Sequence, residues 1–253
     1  MVVFTRRRAL QASLAALPRF ASAKASQEVV VGAAANLTSV FQVIGPAFER
    51  ETGIHPVFSY ASTAQIAQQI EERAPIDLFA AADTEHSQEL ERKGLLAAGS
   101  RAVYATGILA LWIPPSARAA VHGIGDLAKP EVRIVAAAKP ELAPYGLAAV
   151  EALQHSGLWE VVKPKMVYAS NVSMVQQYGS TGNADAVFTA MSLVRNEPGK
   201  VLEVDPKLHH RLDQELGITS YAANKVSAVR FRQFLLTGNG RDILAKSGYR
   251  LPR

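Results

Sequence analysis

The sequence has no cysteine in its 253 residues and no apolar run of about eighteen residues or more. The missing cysteine excludes disulfides and thiolate metal sites, and it is compatible with an exported protein. The missing apolar run means that no transmembrane helix is expected. The chain also lacks a fixed-period repeat and a low-complexity linker, and its length suits one large or two modest domains.

Motifs that carry catalysis or bind metals are missing as well. There is no H-E-x-x-H motif, and no serine stands in a G-x-S-x-G context. The pair His209-His210 lies in a charged stretch, which favours a solvated position over a metal site. Asp83 follows a predicted strand and is the better catalytic candidate among the acids, but we interpret it as a cap on the next helix. An acyl-transfer enzyme is therefore not expected.

Residues 1–25 have the pattern of an export signal. Arg6-Arg7-Arg8 precedes a mildly apolar run, and Ala21-Ser22-Ala23 suits a cleavage site. The arginines also resemble a twin-arginine signal; the alternative is an amphipathic helix of a cytoplasmic protein. Cleavage after Ala23 removes four arginines and no acid, which lowers the formal charge from +5 to +1. The basic character of the whole chain is therefore weak evidence for a nucleic-acid partner.

Apolar patterning predicts an α/β fold with alternating strands and helices. EVVVGAAA, residues 28–35, indicates a buried strand, and the next apolar positions follow helical spacing as far as Gly53. Two more strand-helix pairs follow, which favours a parallel sheet covered by helices. ADAVFTAMSLV, residues 184–194, is predicted as a strand, and residues 220–252 as a short strand with two helices. We predict two α/β domains joined by crossing strands: residues 26–104 with 214–253, and residues 105–213.

Small polar or neutral residues stand at four strand-to-helix turns. The turns are Ala35-Asn36, Ser62-Thr63, Pro144-Tyr145-Gly146 and Asn171-Val172. Asn36, Thr63 and Asn171 suit helix N-caps, and ordinary capping alone would explain each of them. In open α/β sheets, however, ligands bind at the carboxyl ends of strands, where helix N-termini offer unpaired N–H groups and partial positive charge. Together the turns predict an anion site.

None of the four turns places a charged residue at its tip. A site of neutral donors suits a ligand that only accepts hydrogen bonds, such as a fully deprotonated tetrahedral dianion. An anion that retains a proton would need a protein acceptor, usually a carboxylate.

Four blocks of the sequence resemble the molybdate-binding proteins of ABC importers. They are AAANLTSVFQVI, YASTAQIAQQIEERAPIDLFAAAD, APYGLAAVEAL and NVSMVQQYGSTGNADAVFTAMSLV, and the resemblance runs in order from Val29 to Leu251. It implies the type II periplasmic binding-protein architecture, in which two α/β domains close over the anion. Carried over by position, it implies ligand contacts at Asn36 with Ala35, Thr63 with Ser62, Tyr145, and the backbone amide of Val172. A fifth family position, a tyrosine in some members, falls on Phe188.

The resemblance also implies a function. The expected protein binds molybdate and tungstate in the periplasm and delivers them to a membrane permease. It is expected to be a monomer without enzymatic activity, cofactor or nucleic-acid partner. Molybdenum is expected only as the bound oxyanion, without direct protein ligands to the metal.

Departures from the family pattern concern selectivity. Many members have serine where Asn36 stands, although an asparagine combined with a tyrosine in the third turn is a recognised variant. Phe188 has no hydroxyl to donate, and Ala64 replaces a common glycine. Two alternatives stay open: a receptor for sulfate or another small anion, and an enzyme or regulatory sensor on the same scaffold. An enzyme would need a proton-transfer group in the cleft, and a sensor would need a DNA-binding helix-turn-helix.

Overall fold

The computed structural model describes residues 27–252 of the chain. The predicted export signal, residues 1–25, and its cleavage after Ala23 lie outside the described residues. Within the described part, no helix is both long enough and apolar enough to cross a membrane.

Strands and helices alternate through most of the described chain. The strands are β1 (Gln27–Ala34), β2 (Ile54–Ala61), β3 (Leu78–Ala80), β4 (Ala102–Thr106), β5 (Leu109–Ile113), β6 (Val135–Ala138), β7 (Met166–Ala169), β8 (Ala186–Ala190), β9 (Lys200–Glu203) and β10 (Asp213–Ile218). The α-helices are α1 (Thr38–Thr52), α2 (Thr63–Glu71), α3 (Glu85–Arg92), α4 (Pro144–His155), α5 (Trp159–Val162), α6 (Val172–Ser180), α7 (Met191–Val194), α8 (Lys225–Thr237) and α9 (Asn239–Lys246).

The strands of residues 27–252 form two five-stranded sheets with the same internal order. The first runs β2-β1-β3-β10-β4, and the second runs β7-β6-β8-β5-β9. In each sheet three neighbouring strands are parallel, and the fourth strand, β10 or β5, runs antiparallel between them and the edge strand, β4 or β9. The predicted α/β architecture of two units is confirmed. We call each sheet with its helices a lobe: the first holds α1–α3, α8 and α9, and the second holds α4–α7.

The central strands are buried along their length because helices cover both faces. β3, β6 and β8 contain only buried residues, as expected for strands of a covered parallel sheet. Alternate residues enter different clusters: Leu78 and Ala80 pack on one face, and Phe79 and Ala81 on the other. The helix after β1 ends as predicted at Gly53, whose φ of 69° is a left-handed conformation that glycine adopts without steric cost.

Two chain segments connect the sheets. Residues 107–108 lead from β4 to β5, and residues 204–212 lead from β9 back to β10. The C-terminal segment returns to the first crossing, where Arg250 pairs with Thr106. The placement of domain boundaries within these segments remains a prediction.

Some of the predicted elements are wrong. The strand predicted for residues 184–194 ends at Ala190, and Met191–Val194 form a helical turn. The strand expected within residues 220–252 lies upstream as β10. The apolar pattern also does not predict β4 and β9. Both are short strands at the edge of a sheet, where the sequence need not show a regular pattern of apolar residues.

Candidate functional site

Four helices begin around one small cavity between the two sheets. The cavity has a volume of about 10 Å³, far less than the roughly 300–1,000 Å³ typical of sites for drug-sized ligands. It therefore suits a small ion better than a sugar or peptide. Its lining consists of Ala34, Ala35, Asn36, Ser62, Thr63, Ala82, Ala143, Pro144, Tyr145, Asn171 and Val172.

Asn36 lies in a 3₁₀ turn, Ala35–Leu37, that leads into α1. The prediction that Asn36 caps the helix is wrong, because Ala34 holds the capping position and no side chain caps the turn. The Asn36 carboxamide is buried, and its Nδ2 donates to Oε1 of Gln214 at 2.9 Å and to the Tyr249 hydroxyl at 3.0 Å. Both amide hydrogens are thus directed at protein atoms. The unpaired backbone N–H groups at the start of the turn are what it can offer to a ligand.

Ser62, and not Thr63 as predicted, caps α2. The Ser62 hydroxyl accepts the N–H of Gln65, and the Gln65 side chain accepts the N–H of Ser62, which is a capping box. The Ser62 hydroxyl also donates to Gln65 Oε1 at 2.9 Å, so its hydrogen is used within the turn. Ser62 therefore positions the helix start, and its side chain has no hydrogen left for a ligand.

Thr63 is the first residue of α2 and is buried at the cavity. Its Oγ1 accepts the backbone N–H of Ala82 at 3.2 Å. Within residues 27–252 no group accepts the hydroxyl hydrogen, so this hydrogen and the backbone N–H are free to serve a ligand in the cavity.

Tyr145 stands in the first turn of α4, directly after Pro144. Proline suits this position because its missing N–H would be unpaired there anyway. The Tyr145 hydroxyl accepts a hydrogen bond from Nε2 of Gln214 at 2.8 Å. Burial raises the pKa of Tyr145 well above its ordinary value, so the phenol keeps its proton. Because the oxygen accepts from Gln214, the phenol hydrogen is left for an acceptor in the cavity.

Asn171 caps α6 as predicted, and its Oδ1 accepts the N–H of Met174 at 3.1 Å. Val172 follows as the first helical residue and is 3% exposed. The first N–H groups of a helix have no partner within it, so the N–H of Val172 is a candidate donor. Phe188, the fifth position implied by the resemblance, is buried in β8 and is not part of the cavity lining.

The electrostatics of the cavity are positive although no lining residue carries a formal charge. Acidic residues commonly occupy the first turn of a helix, because they complement the positive end of its dipole. Here α3, α5 and α9 follow this habit with Glu85, Glu160 and Asp242. No acid stands in the first turn of α7 or α8, nor in that of α1, α2, α4 and α6, the helices that begin at the cavity. Their positive ends are left for an external anion.

Hydrogen bonds join the two lobes next to the cavity. Ser173 Oγ donates to the backbone oxygen of Ala35 at 2.9 Å, and Ser192 Oγ donates to that of Asn36 at 2.9 Å. The N–H of Ala64 also donates to the Leu142 oxygen across the cleft at 3.3 Å. These bonds hold the lobes together around the cavity.

Sequence reasoning missed a buried polar network behind the cavity. It includes Tyr104, Ser192, Gln214 and Tyr249, each less than 10% exposed, and it contacts both Asn36 and Tyr145. These residues lie far from the four turns in the sequence. The only local signal is Gln214, a polar residue inside the short strand β10. The sequence around it does not show whether its side chain faces the interior or the solvent.

The other candidate residues have structural partners. Asp83 Oδ1 accepts the N–H of His86 in the first turn of α3 at 3.1 Å, although Thr84 and not Asp83 holds the capping position. His210 bonds to Glu151 at 2.7 Å through its ring, and its neighbour His209 bonds to the His210 backbone oxygen. Among residues 27–252, no group of three or more histidine or acidic side chains is placed to hold a metal ion.

Comparison with known families gives a match over residues 29–250 to the model described as "Bacterial extracellular solute-binding protein". The chain belongs to this solute-binding protein family. Within it, the chain is 32% identical over 243 residues to the molybdate-binding protein ModA of Rhodobacter capsulatus, which covers 96% of each chain. It is also 32% identical over 235 residues to ModA of Azotobacter vinelandii, covering 91% of this chain and 93% of that protein.

Solved structures support the same membership. The periplasmic molybdate-binding protein of Azotobacter vinelandii superposes with a TM-score of 0.84 at 28% identity, covering 89% of this chain and all of that one. The sulfate-binding protein SubI of Mycobacterium tuberculosis superposes with a TM-score of 0.73 at 15% identity, covering 89% and 87%; this second likeness concerns the fold alone. The cavity of this solute-binding protein lies between its two lobes, and the uncharged hydrogen-bond donors described above line that cavity.

Proposed function

We propose that this solute-binding protein captures molybdate, and equally tungstate, in the periplasm. The observation that carries the proposal is the convergence of four helix N-termini on a cavity lined only by uncharged residues. Such a site attracts an anion without offering it a salt bridge. The names of the Rhodobacter and Azotobacter relatives support molybdate as the ligand.

The donor chemistry favours a fully deprotonated dianion. The hydroxyls of Thr63 and Tyr145 both accept an N–H from the protein, so each keeps its hydrogen free to donate to a ligand in the cavity. Molybdate and tungstate are all-acceptor ligands of nearly the same size. Hydrogen phosphate carries a proton that would find no carboxylate, imidazole or amine among the lining residues. Each N–H···O or O–H···O contact to the dianion would be charge-assisted and strong in this water-poor site.

Capture proceeds by closure of the two lobes, which we assign to residues 26–104 with 214–253 and to residues 105–213. The crossings at residues 107–108 and 204–212 act as the hinge, and the hydrogen bonds between the lobes stabilise the closed form. The closed protein then docks, as a monomer, on the permease of an ABC importer. Residues 1–25 direct export, by the twin-arginine route.

Isothermal titration of the chain without residues 1–25 tests this function. Molybdate and tungstate are expected to bind with one-to-one stoichiometry, while phosphate binds far more weakly or not at all. Sulfate is also fully deprotonated, and a sulfate affinity above that for molybdate would favour the alternative of a sulfate receptor. Absence of binding by both molybdate and tungstate would refute the proposal. Preferential binding of phosphate would show that the all-acceptor argument is wrong.

A further inference from the structure

Gln214 occupies the centre of the buried network behind the cavity. It lies on β10 and is fully buried. Its Oε1 accepts from Asn36 Nδ2 at 2.9 Å and from the Tyr104 hydroxyl at 3.0 Å, while its Nε2 donates to the Tyr145 hydroxyl at 2.8 Å. One carboxamide therefore links a cavity residue of the first lobe to a cavity residue of the second.

The space for this link depends on Gly107, in the first crossing between the sheets. A Cβ at that position would lie 2.6 Å from Gln214 Nε2 and would also collide with the Tyr145 hydroxyl. A side chain at residue 107 is thus incompatible with the observed Gln214–Tyr145 hydrogen bond. The buried network therefore requires glycine at this position of the crossing segment.

The direction of the hydrogen bonds decides what Tyr145 can offer. A phenol has one hydrogen to donate and an oxygen that accepts. As long as Gln214 presents its N–H to the oxygen, the phenol hydrogen turns away from Gln214 and toward the cavity. If residue 214 presented an acceptor instead, the phenol would donate to it and would turn a lone pair to the cavity. That lone pair would repel a dianion and would accept the proton of a protonated anion.

We propose that Gln214 is a specificity-determining positioning residue, which fixes Tyr145 as a hydrogen-bond donor and so selects fully deprotonated oxyanions. The inference rests on the proposed function and extends it, because it assigns the discrimination against protonated anions to a residue outside the cavity lining. It also makes the donor state of Tyr145 depend on closure, since Gln214 and Tyr145 belong to different lobes.

The decisive variant is Gln214→Glu, whose carboxyl can be either a donor or an acceptor. When protonated, its O–H can donate to Tyr145 while its carbonyl accepts from Asn36 and Tyr104, which restores the native pattern. When ionised, the carboxylate can only accept hydrogen bonds. The Tyr145 hydroxyl would then donate to residue 214 and turn a lone pair toward the cavity. Burial favours the protonated form of such a carboxyl. Molybdate affinity of this variant is therefore expected to rise by about tenfold or more as the pH falls from 8 to 6. This is the change in affinity that corresponds to gaining one hydrogen bond to a charged ligand.

Other titratable groups near Gln214 could also make molybdate affinity depend on pH, so control measurements are needed. Tyr104, Tyr145 and Tyr249 surround the network, and burial raises the pKa of each well above this pH range. Asp83 and Glu215 lie close by, and His86, which bonds to Asp83, has a raised pKa because of that bond. The pH series is therefore run on wild type, on Gln214→Glu and on Gln214→Glu combined with His86→Gln. The rise is expected in both variants and not in wild type.

Gln214→Met supplies a variant of similar size that cannot titrate. It is expected to lose about tenfold in molybdate affinity at every pH, with a smaller loss in the Tyr145→Phe background because the two residues act through one hydrogen bond. Thermal unfolding without ligand checks that each variant is folded. Equal pH profiles for wild type and a folded Gln214→Glu, or additive losses in the double variant, would overturn the inference. Failure of wild type itself to bind molybdate would instead refute the proposed function.

Discussion

The two lobes have the same strand order, but they hold their ligand-facing groups in different ways. In the first lobe, Thr63 is fixed by near neighbours: Ser62 and Gln65 form the capping box, and Ala82 follows the adjacent strand β3. In the second lobe, the hydroxyl of Tyr145 is fixed by Gln214, which belongs to the first. The first lobe therefore orients the Thr63 hydroxyl with its own residues, whereas the Tyr145 hydroxyl of the second lobe depends on a residue of the first.

A similar contrast holds for the buried aspartates that precede β3 and β8. Within residues 27–252, Asp77 accepts only from neutral donors, the N–H groups of Val30 and Asn224 and the Asn224 side chain. Asp185 accepts from three backbone N–H groups and from the guanidinium of Arg118. Both carboxylates tie a strand to neighbouring segments, and only the second has a cationic partner.

The largest expected effect comes from Asn36→Asp in the first lobe. The change removes the donors to Gln214 and Tyr249 and places a negative charge beside the bound dianion. Molybdate affinity is expected to fall by roughly hundredfold or more, because an unpaired buried charge is costly. Calorimetry measures the loss, and the neutral Asn36→Ser is the control. An affinity equal to wild type in Asn36→Asp would remove Asn36 from the site.

Val172→Pro tests a backbone donor of the second lobe. Proline is tolerated at the first helical position, and the extended backbone of Asn171 suits a residue before proline. The change deletes one backbone N–H, so affinity is expected to fall ~30-fold, about 2 kcal/mol. Val172→Ala keeps the N–H and is expected to bind within a few-fold of wild type. Equal affinities of the two variants would show that this N–H does not contact the ligand.

Thr63→Val removes the hydroxyl of the first lobe at nearly constant volume. A loss of about tenfold in molybdate affinity is expected, since one charge-assisted hydrogen bond disappears. Thr63→Ser retains the hydroxyl and is expected to keep most of the affinity in the same titration. If both variants bound equally well, the first lobe would contribute through its backbone alone.

The smallest expected effect is on stability. Burial alone would raise the pKa of Asp185, but the N–H groups of Arg133, Ile134 and Arg118, with the Arg118 guanidinium, lower it below its ordinary value. A carboxylate with a lowered folded-state pKa stabilises the protein above the ordinary pKa of about 3.9, and this contribution disappears as the pH falls through the folded value. Asp185→Asn is expected to lose about 1 kcal/mol of unfolding free energy at pH 7 and less near pH 3.

Urea unfolding at the two pH values measures this difference. Arg118→Gln is the control, and it is expected to change little because Arg118 is half exposed and the backbone donors remain. An equal loss in Asp185→Asn at both pH values would contradict the role assigned to the ionised carboxylate.

The sequence predicted the location of the site better than the roles of its residues. All four predicted turns line the cavity, because small polar residues after apolar strands reflect the general geometry of α/β sheets. The capping roles were less predictable. Ser62 and Thr63 are adjacent and equally suited to an N-cap, and only the observed capping box with Gln65 distinguishes them. Asn36 has a capping side chain, but partners in the C-terminal part of the chain bind its amide.

The alternation of strands and helices, the neutral turns and the absence of acids from the first turns of the helices that begin there can all be read from the sequence alone. These are properties of neighbouring residues, and local backbone geometry and dipole electrostatics act over a few positions. Which hydrogens face the cavity depends on contacts between distant parts of the chain. Gln214 lies 178 residues from Asn36 and 69 from Tyr145. The hydrogen bonds that orient both side chains exist only where two sheets and their crossing segments bring these distant groups together.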